Sequence, residues 1–155
     1  MGKPGPAIYT DVTLNNSSDD NLALYDKVDW YGSANHPIII PAQQPDKIKH
    51  QADPQTGCSE GGVAYTVRKN IRWVVAWSNM KDEDNKVYID IIKTEDKIDW
   101  SFYQSLLKTS ESIAEPVNKY KNTARAKIEP SSTAPDLRAI LHPAFYQSLY
   151  PPTQI

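Results

Sequence analysis

Cys58, His36, His50 and His142 are the side chains of this sequence best suited to nucleophile and base chemistry. Cys58 is the sole cysteine and lies in Thr56-Gly57-Cys58-Ser59-Glu60-Gly61-Gly62, a stretch flexible enough to present a thiol. Any of the three histidines could approach it in a folded chain. No local pattern of a cysteine enzyme surrounds it, however, and a lone cysteine beside a strand usually serves as a small core residue. No catalytic residue is assigned. Asp82, Glu83, Asp84 and Asn85 gather oxygen donors in one loop, but the glycine and the distant bidentate glutamate of a calcium loop are missing. They read as a solvated hairpin tip, and the histidines lack metal-ligand spacing, so neither metal nor cofactor is expected. Gly57, Gly61 and Gly62 precede a strand, not a helix, which fits a tight turn or bulge and not a phosphate cradle.

Aromatic residues carry more information. Four Trp and nine Tyr stand against two Phe, so the chain favours rings with an apolar body and a polar tip. Asp29-Trp30-Tyr31-Gly32 closes a strand and enters a polar loop holding Ser33, Asn35 and His36. A Trp-Tyr pair beside a carboxylate can stack on a sugar ring or sit at a lipid interface; an aromatic plug over one end of the domain is the competing reading. The candidate ligand-binding residues are therefore Asp29, Trp30, Tyr31 and His36, with Trp77 in support if its ring reaches a groove. Trp73 and Trp77 share a parity with Ile71 and Val75, which points first to core packing.

The elements that must position these groups are mostly strands. Ile8, Thr10, Val12 and Leu14 alternate with Tyr9, Asp11 and Thr13. Leu22, Leu24, Val28 and Trp30 share the next parity, interrupted by Asp26, and Pro37-Ile38-Ile39-Ile40-Pro41 suits an edge strand. Val63, Tyr65 and Val67, then Ile71, Trp73, Val75 and Trp77, then Val87, Ile89 and Ile91 predict an antiparallel meander with short connections. One helix follows, with Asp99 as cap, Ile98 stapling onto Tyr103, a stripe through Trp100, Tyr103, Leu106, Leu107 and Ile113, and Pro116 as its end. Lys121 to Glu129 reads as a last strand with Ala124, Ala126 and Ile128 inward, and Asp136 to Leu141 as a short helix in a Pro-rich tail. The expected fold class is mainly β, an antiparallel β-sandwich with one helix after the central meander. Residues 1–130 form the sandwich domain, and 131–155 a Pro-rich C-terminal extension packed on it or trailing from it.

Composition narrows the partners. A net charge of −2 with no basic run argues against nucleic acid, which demands clustered Lys and Arg. No stretch approaches the ~20 apolar residues of a transmembrane helix, and no secretory h-region opens the chain. With a single cysteine, a reducing, cytoplasmic setting is expected. The sequence leaves the oligomeric state open.

Asp29-Trp30-Tyr31-Gly32, the Gly57-Cys58-Ser59-Glu60-Gly61-Gly62 loop, Trp73-Val74-Val75-Ala76-Trp77-Ser78-Asn79, Asn85-Lys86-Val87-Tyr88 and Trp100-Ser101-Phe102-Tyr103 occur in that order. Together they resemble the jasmonate-induced proteins of plants over roughly residues 8–128. The Trp-x-Gly element, the Cys/Gly loop and the Trp-rich strand also bear a fainter likeness to aegerolysins, lipid-recognising β-sandwich proteins, although Ala76-Trp77-Ser78-Asn79 replaces the Cys-Pro-Trp associated with them. The first resemblance implies a plant stress or defence role without enzymatic activity. A glycan or lipid head group is the expected ligand. The alternative is a membrane-active, pore-forming or lipid-binding protein of aegerolysin or actinoporin type, with the segment from Trp100 to Ile113 able to insert.

Overall fold

The computed structural model describes Lys3 and residues 5–143. The chain runs β1 (Tyr9–Asn16), β2 (Leu22–Tyr31), β3 (Ile39–Ile40), β4 (Gln44–Gln51), β5 (Ser59–Thr66), β6 (Ile71–Asn79) and β7 (Lys86–Lys93). Helix α1 (Trp100–Leu107) follows, then β8 (Val117–Lys119), β9 (Asn122–Ile128) and β10 (Asp136–Pro143). One five-stranded sheet has the order β4-β1-β10-β9-β8, and a second has β3-β2-β5-β6-β7. Every pairing is antiparallel except that of β1 with β10. The two sheets face one another as a mainly β sandwich.

Parity explains the core. Val63, Tyr65, Ile71, Trp73, Val75, Trp77, Val87, Ile89 and Ile91 of the meander all enter the main buried cluster, as their alternation predicts. The facing sheet contributes Val12, Leu14 and Ile48 together with the small Ala124, Ala126 and Ala139, which leaves volume for two indoles. Strand β6 is buried almost throughout because both its faces are covered. Its second face, with Ala64 of β5 and Ile92 of β7, lies under α1 through Val74 and Tyr103, with Ile98, Trp100 and Leu106 packed against them. Asp99 caps α1 by accepting a hydrogen bond from the Phe102 amide at 3.1 Å.

Three sequence expectations change, and one strand was not foreseen. Strand β2 does not keep one parity: register shifts at Tyr25 and Trp30 leave these two residues unpaired with β5, so Val28 lies opposite Gly62 while Leu24 lies opposite Tyr65. Strand β4 was hidden because Ile48 is the only apolar residue it buries, beside His50. Helix α1 stops at Leu107, and Ile113 is exposed and bridges to Lys127 of β9. Asp136 to Leu141 is not a helix but β10, inserted between β1 and β9. The remainder of the expected tail, from residue 144, lies outside the described residues.

Candidate functional site

Asp29 faces inward from β2, opposite Gly61, and its carboxylate reaches across the sandwich to β4. His50 Nε2 lies 2.9 Å from Asp29 Oδ1, and His50 Nδ1 lies 2.7 Å from Ser59 Oγ of β5. Ser59 Oγ is 2.8 Å from Thr10 Oγ1 of β1, which accepts from Asn79 Nδ2 of β6 at 3.2 Å. Asn79 Oδ1 in turn accepts from the buried ammonium of Lys3, which also donates to Asn85 Oδ1. One assignment of protons lets every contact in this row be donor to acceptor. Lys3 donates to Asn79, Asn79 to Thr10, Thr10 to Ser59, Ser59 to His50 Nδ1, and His50 Nε2–H to Asp29. A buried polar row thus laces the two sheets, with a cation at one end and a carboxylate at the other.

The types Asp, His and Ser occur here in hydrogen-bonded order, yet the arrangement is structural. Ser59 and His50 are each 0% exposed, so no substrate carbonyl reaches the hydroxyl. Gly61 lies beneath the ring: a Cβ there would fall 3.0 Å from His50 Nε2 and 2.9 Å from the Val28 carbonyl. Cys58 is buried as well, with its thiol 3.4 Å from the Thr56 carbonyl oxygen. No cluster of metal-binding side chains occurs among the described residues.

Charge states follow from burial. Desolvation holds His50 below its ordinary pKa despite the opposing pull of Asp29. His36 is lowered by burial and then by the Lys27 ammonium. His142 is pushed down to about 4 by burial and by Arg125. Burial works to raise Asp29, but hydrogen bonds from Lys27 (2.9 Å) and His50 outweigh it and keep the carboxylate below its usual range. All three histidines are therefore neutral in the fold while the unfolded chain titrates near 6.5. The folded pKa values are depressed, so this stability is complete above pH 6.5 and drains away as pH falls toward 4. Urea unfolding at successive pH values is expected to show a loss on the order of 2 kcal/mol across that window. A midpoint unchanged from neutral pH to pH 4.5 would refute the neutral-histidine assignment.

On the outer face of the same strands the aromatic residues gather. Trp30 is the unpaired residue of the second β2 bulge, which turns its half-buried ring onto Trp100 at 6.3 Å with ring planes 81° apart. Trp100 lies flat enough on β5 that a Cβ at Gly62 would fall 2.7 Å from its Cζ3. Its Nε1 donates to Asp26 Oδ2 at 3.0 Å. Tyr103 continues the row at 5.8 Å from Trp100, followed by Tyr88 and the exposed Phe102. The Tyr25 ring, 52% exposed at the first bulge, covers the Arg72 guanidinium at 3.4 Å. Gly61 and Gly62 are therefore neighbouring spacers for two rings on opposite faces, in the middle of a strand and not in a turn.

The fold recurs in proteins of known structure. The lipid-binding protein Nakanori superposes with a TM-score of 0.79 at 14% identity, over 89% of this chain and 72% of that one. IP-1A from Alcaligenes faecalis gives 0.59 at 12% identity, covering 90% and 93%. The Xerocomus chrysenteron lectin XCL gives 0.55 at 9% identity, covering 86% and 99%. No protein-family model and no curated protein matches the sequence. The resemblance to jasmonate-induced proteins thus has no sequence-level support, while the β-sandwich expected from the alternating strands is present.

Of the expected ligand residues, Asp29 is hydrogen-bonded to His50, which was not among them, and the charges of Lys27, Asp29 and His50 all act on His36. Trp30 and Tyr31 are half-buried at the rim, and neither lines the neighbouring groove of about 450 Å³ formed by Ser33, Ala34, Asn35, Lys49 and Gln51. Trp77 must be removed from the set. Its ring is 0% exposed, edge-on to His50 at 5.3 Å, and reaches no groove because it packs into the core between the two sheets. Sequence reasoning missed Trp100 as the partner of Trp30; Gly62, facing the Trp100 indole, was the available signal.

Proposed function

We propose that this chain is a non-enzymatic binding protein that recognises a lipid head group at a membrane surface through the aromatic corner of Trp30 and Trp100. The observation that carries the reading is the geometry of that corner. Two half-buried indoles stand nearly perpendicular with the Asp26 carboxylate hydrogen-bonded to one of them, beside the exposed Phe102. Ring faces next to a carboxylate attract a quaternary ammonium, and amphipathic rings partition to the membrane interface. The shared fold with a lipid-binding protein and a lectin supports recognition over catalysis. The plant stress role and cytoplasmic location expected from the sequence belong to this reading as well. No helix among the described residues is long and apolar enough to cross a membrane, and α1 has eight residues, so surface attachment is favoured over helix insertion.

Sedimentation with phosphatidylcholine vesicles tests it. Wild type is expected in the pellet, with Trp30→Ala and Phe102→Ser each weakening binding about tenfold, near 1–2 kcal/mol per ring. Dye release from the same vesicles separates surface binding from pore formation, and a glycan array serves the lectin reading. Vesicle binding that both variants retain would refute the aromatic corner; glycan capture without vesicle binding would replace the lipid by a sugar.

A further inference from the structure

The outer face of the first sheet, opposite the aromatic corner, carries a row of cations. Cross-strand register places Lys47 of β4 beside Thr13 of β1, Thr13 beside Arg138 of β10, and Arg138 beside Lys127 of β9. All three basic residues are exposed, and none has an ion-pair partner among the described residues. At the usual strand spacing the row spans about 14 Å. Like charges directly opposed across strands, as in Arg138 and Lys127, destabilise a sheet, and neither side chain has an ion-pair partner among the described residues.

Two grooves share Arg138. One, of about 440 Å³, is lined by Thr13, Asn15, Lys47, Arg138, Ala139 and Ile140. The other, of similar volume, brings Lys127 and Arg138 together with the carboxylates of Glu129 and Asp136. Asp11 and Asp136, in register with one another, occupy the next row along the strands. They repel an anion on that side and leave the side of Asn15 and Ile140 open to it. We infer that this row binds a sulfated polysaccharide, with a sulfate seated in the carboxylate-free groove between Lys47 and Arg138 and the polymer running on toward Lys127. The Arg138 fork, the lysine ammoniums and the Thr13 hydroxyl supply the donors that a sulfate accepts.

A linear polymer fits better than the other anions. The row is flat and runs across four strands, which suits an extended chain and not a small enclosed anion. It has no free aromatic ring on which a base could stack, since Tyr9 on this face is covered by Lys49 at 4.3 Å, and the chain's net charge is −2. Interfacial aromatics for a bilayer lie on the opposite face.

Fluorescently labelled dextran sulfate, titrated at two salt concentrations, tests the inference against neutral dextran, phosphatidylserine vesicles and single-stranded polynucleotide. The variant Lys47→Gln/Lys127→Gln/Arg138→Gln is expected to bind dextran sulfate at least tenfold more weakly, with a salt slope shallower by about 3. A charge-matched control, Lys69→Gln/Lys97→Gln/Lys108→Gln, should bind as wild type does. Equal loss in both triple variants, binding of neutral dextran, preference for polynucleotide over dextran sulfate, or a loss of phosphatidylserine-vesicle binding in the first triple variant as large as its loss of dextran sulfate would each overturn it. Because the row lies on the face opposite Trp30, its failure leaves the lipid reading standing, and the reverse also holds.

Discussion

Gly32→Ala should destabilise the protein by about 3–5 kcal/mol, far more than one added methyl normally costs. Gly32 has φ +100°, and a Cβ there would lie 2.1 Å from the Gln51 carbonyl oxygen and 3.0 Å from His50 Cε1. The first contact is backbone against backbone and cannot be relieved by a rotamer change. It falls where Ser33 and Gln51 exchange hydrogen bonds of 3.1 and 2.8 Å, holding the end of β2 against β4. Left-handed strain adds about 1–2 kcal/mol to the steric displacement. Gly5 offers the internal control: its φ is +81°, but nothing lies within 4 Å of its Cβ position. Gly5→Ala should therefore cost only the conformational part, and urea unfolding of both variants separates the two contributions. If the two variants unfold alike, the close approach at Gln51 does not govern this corner.

Trp77→Ala is the second large effect, at about 3–5 kcal/mol and a melting temperature lower by roughly 10–15 °C. The indole is fully buried between the sheets, and a Cβ at Gly61 would sit 3.2 Å from its Cζ2. Its removal leaves a cavity beside His50 that a backbone fixed by pairing on both sides cannot close. Circular dichroism melts report the loss. Vesicle binding below the lowered transition should be close to that of wild type, since Trp77 touches no exposed surface. A ring that supported the ligand directly would give the reverse, with binding lost at little cost in stability.

The meander was legible because its inner face is apolar at every second position and its turns are short; Ile71, Trp73, Val75 and Trp77 could hardly be read otherwise. The helix was legible at its start, where Asp99 and Ile98 act locally, and illegible at its end, where nothing stops the stripe before Pro116. Strand β10 passed for a helix because Leu137, Ile140 and Leu141 stand three and four apart, while Ala139 contributes too little bulk to reveal the strand period. The candidate site was half visible. Trp30 announced itself by its polar surroundings, but a bulge sets its direction, and bulges leave almost no mark in one sequence. The row from Lys3 to Asp29 was invisible, since its members come from five strands and an N-terminal arm that only the tertiary fold brings together.

The place of β10 governs when the molecule can form. The wall containing β1 closes only when the segment ending at Pro143 slots in between β1 and β9. During synthesis the ribosome releases the first strand long before the one that must lie beside it. The meander can assemble early from neighbouring segments, whereas the other half waits, with Val12 and Leu14 uncovered, until almost everything described has emerged. That interval is when the nascent chain most needs shielding from other hydrophobic surfaces.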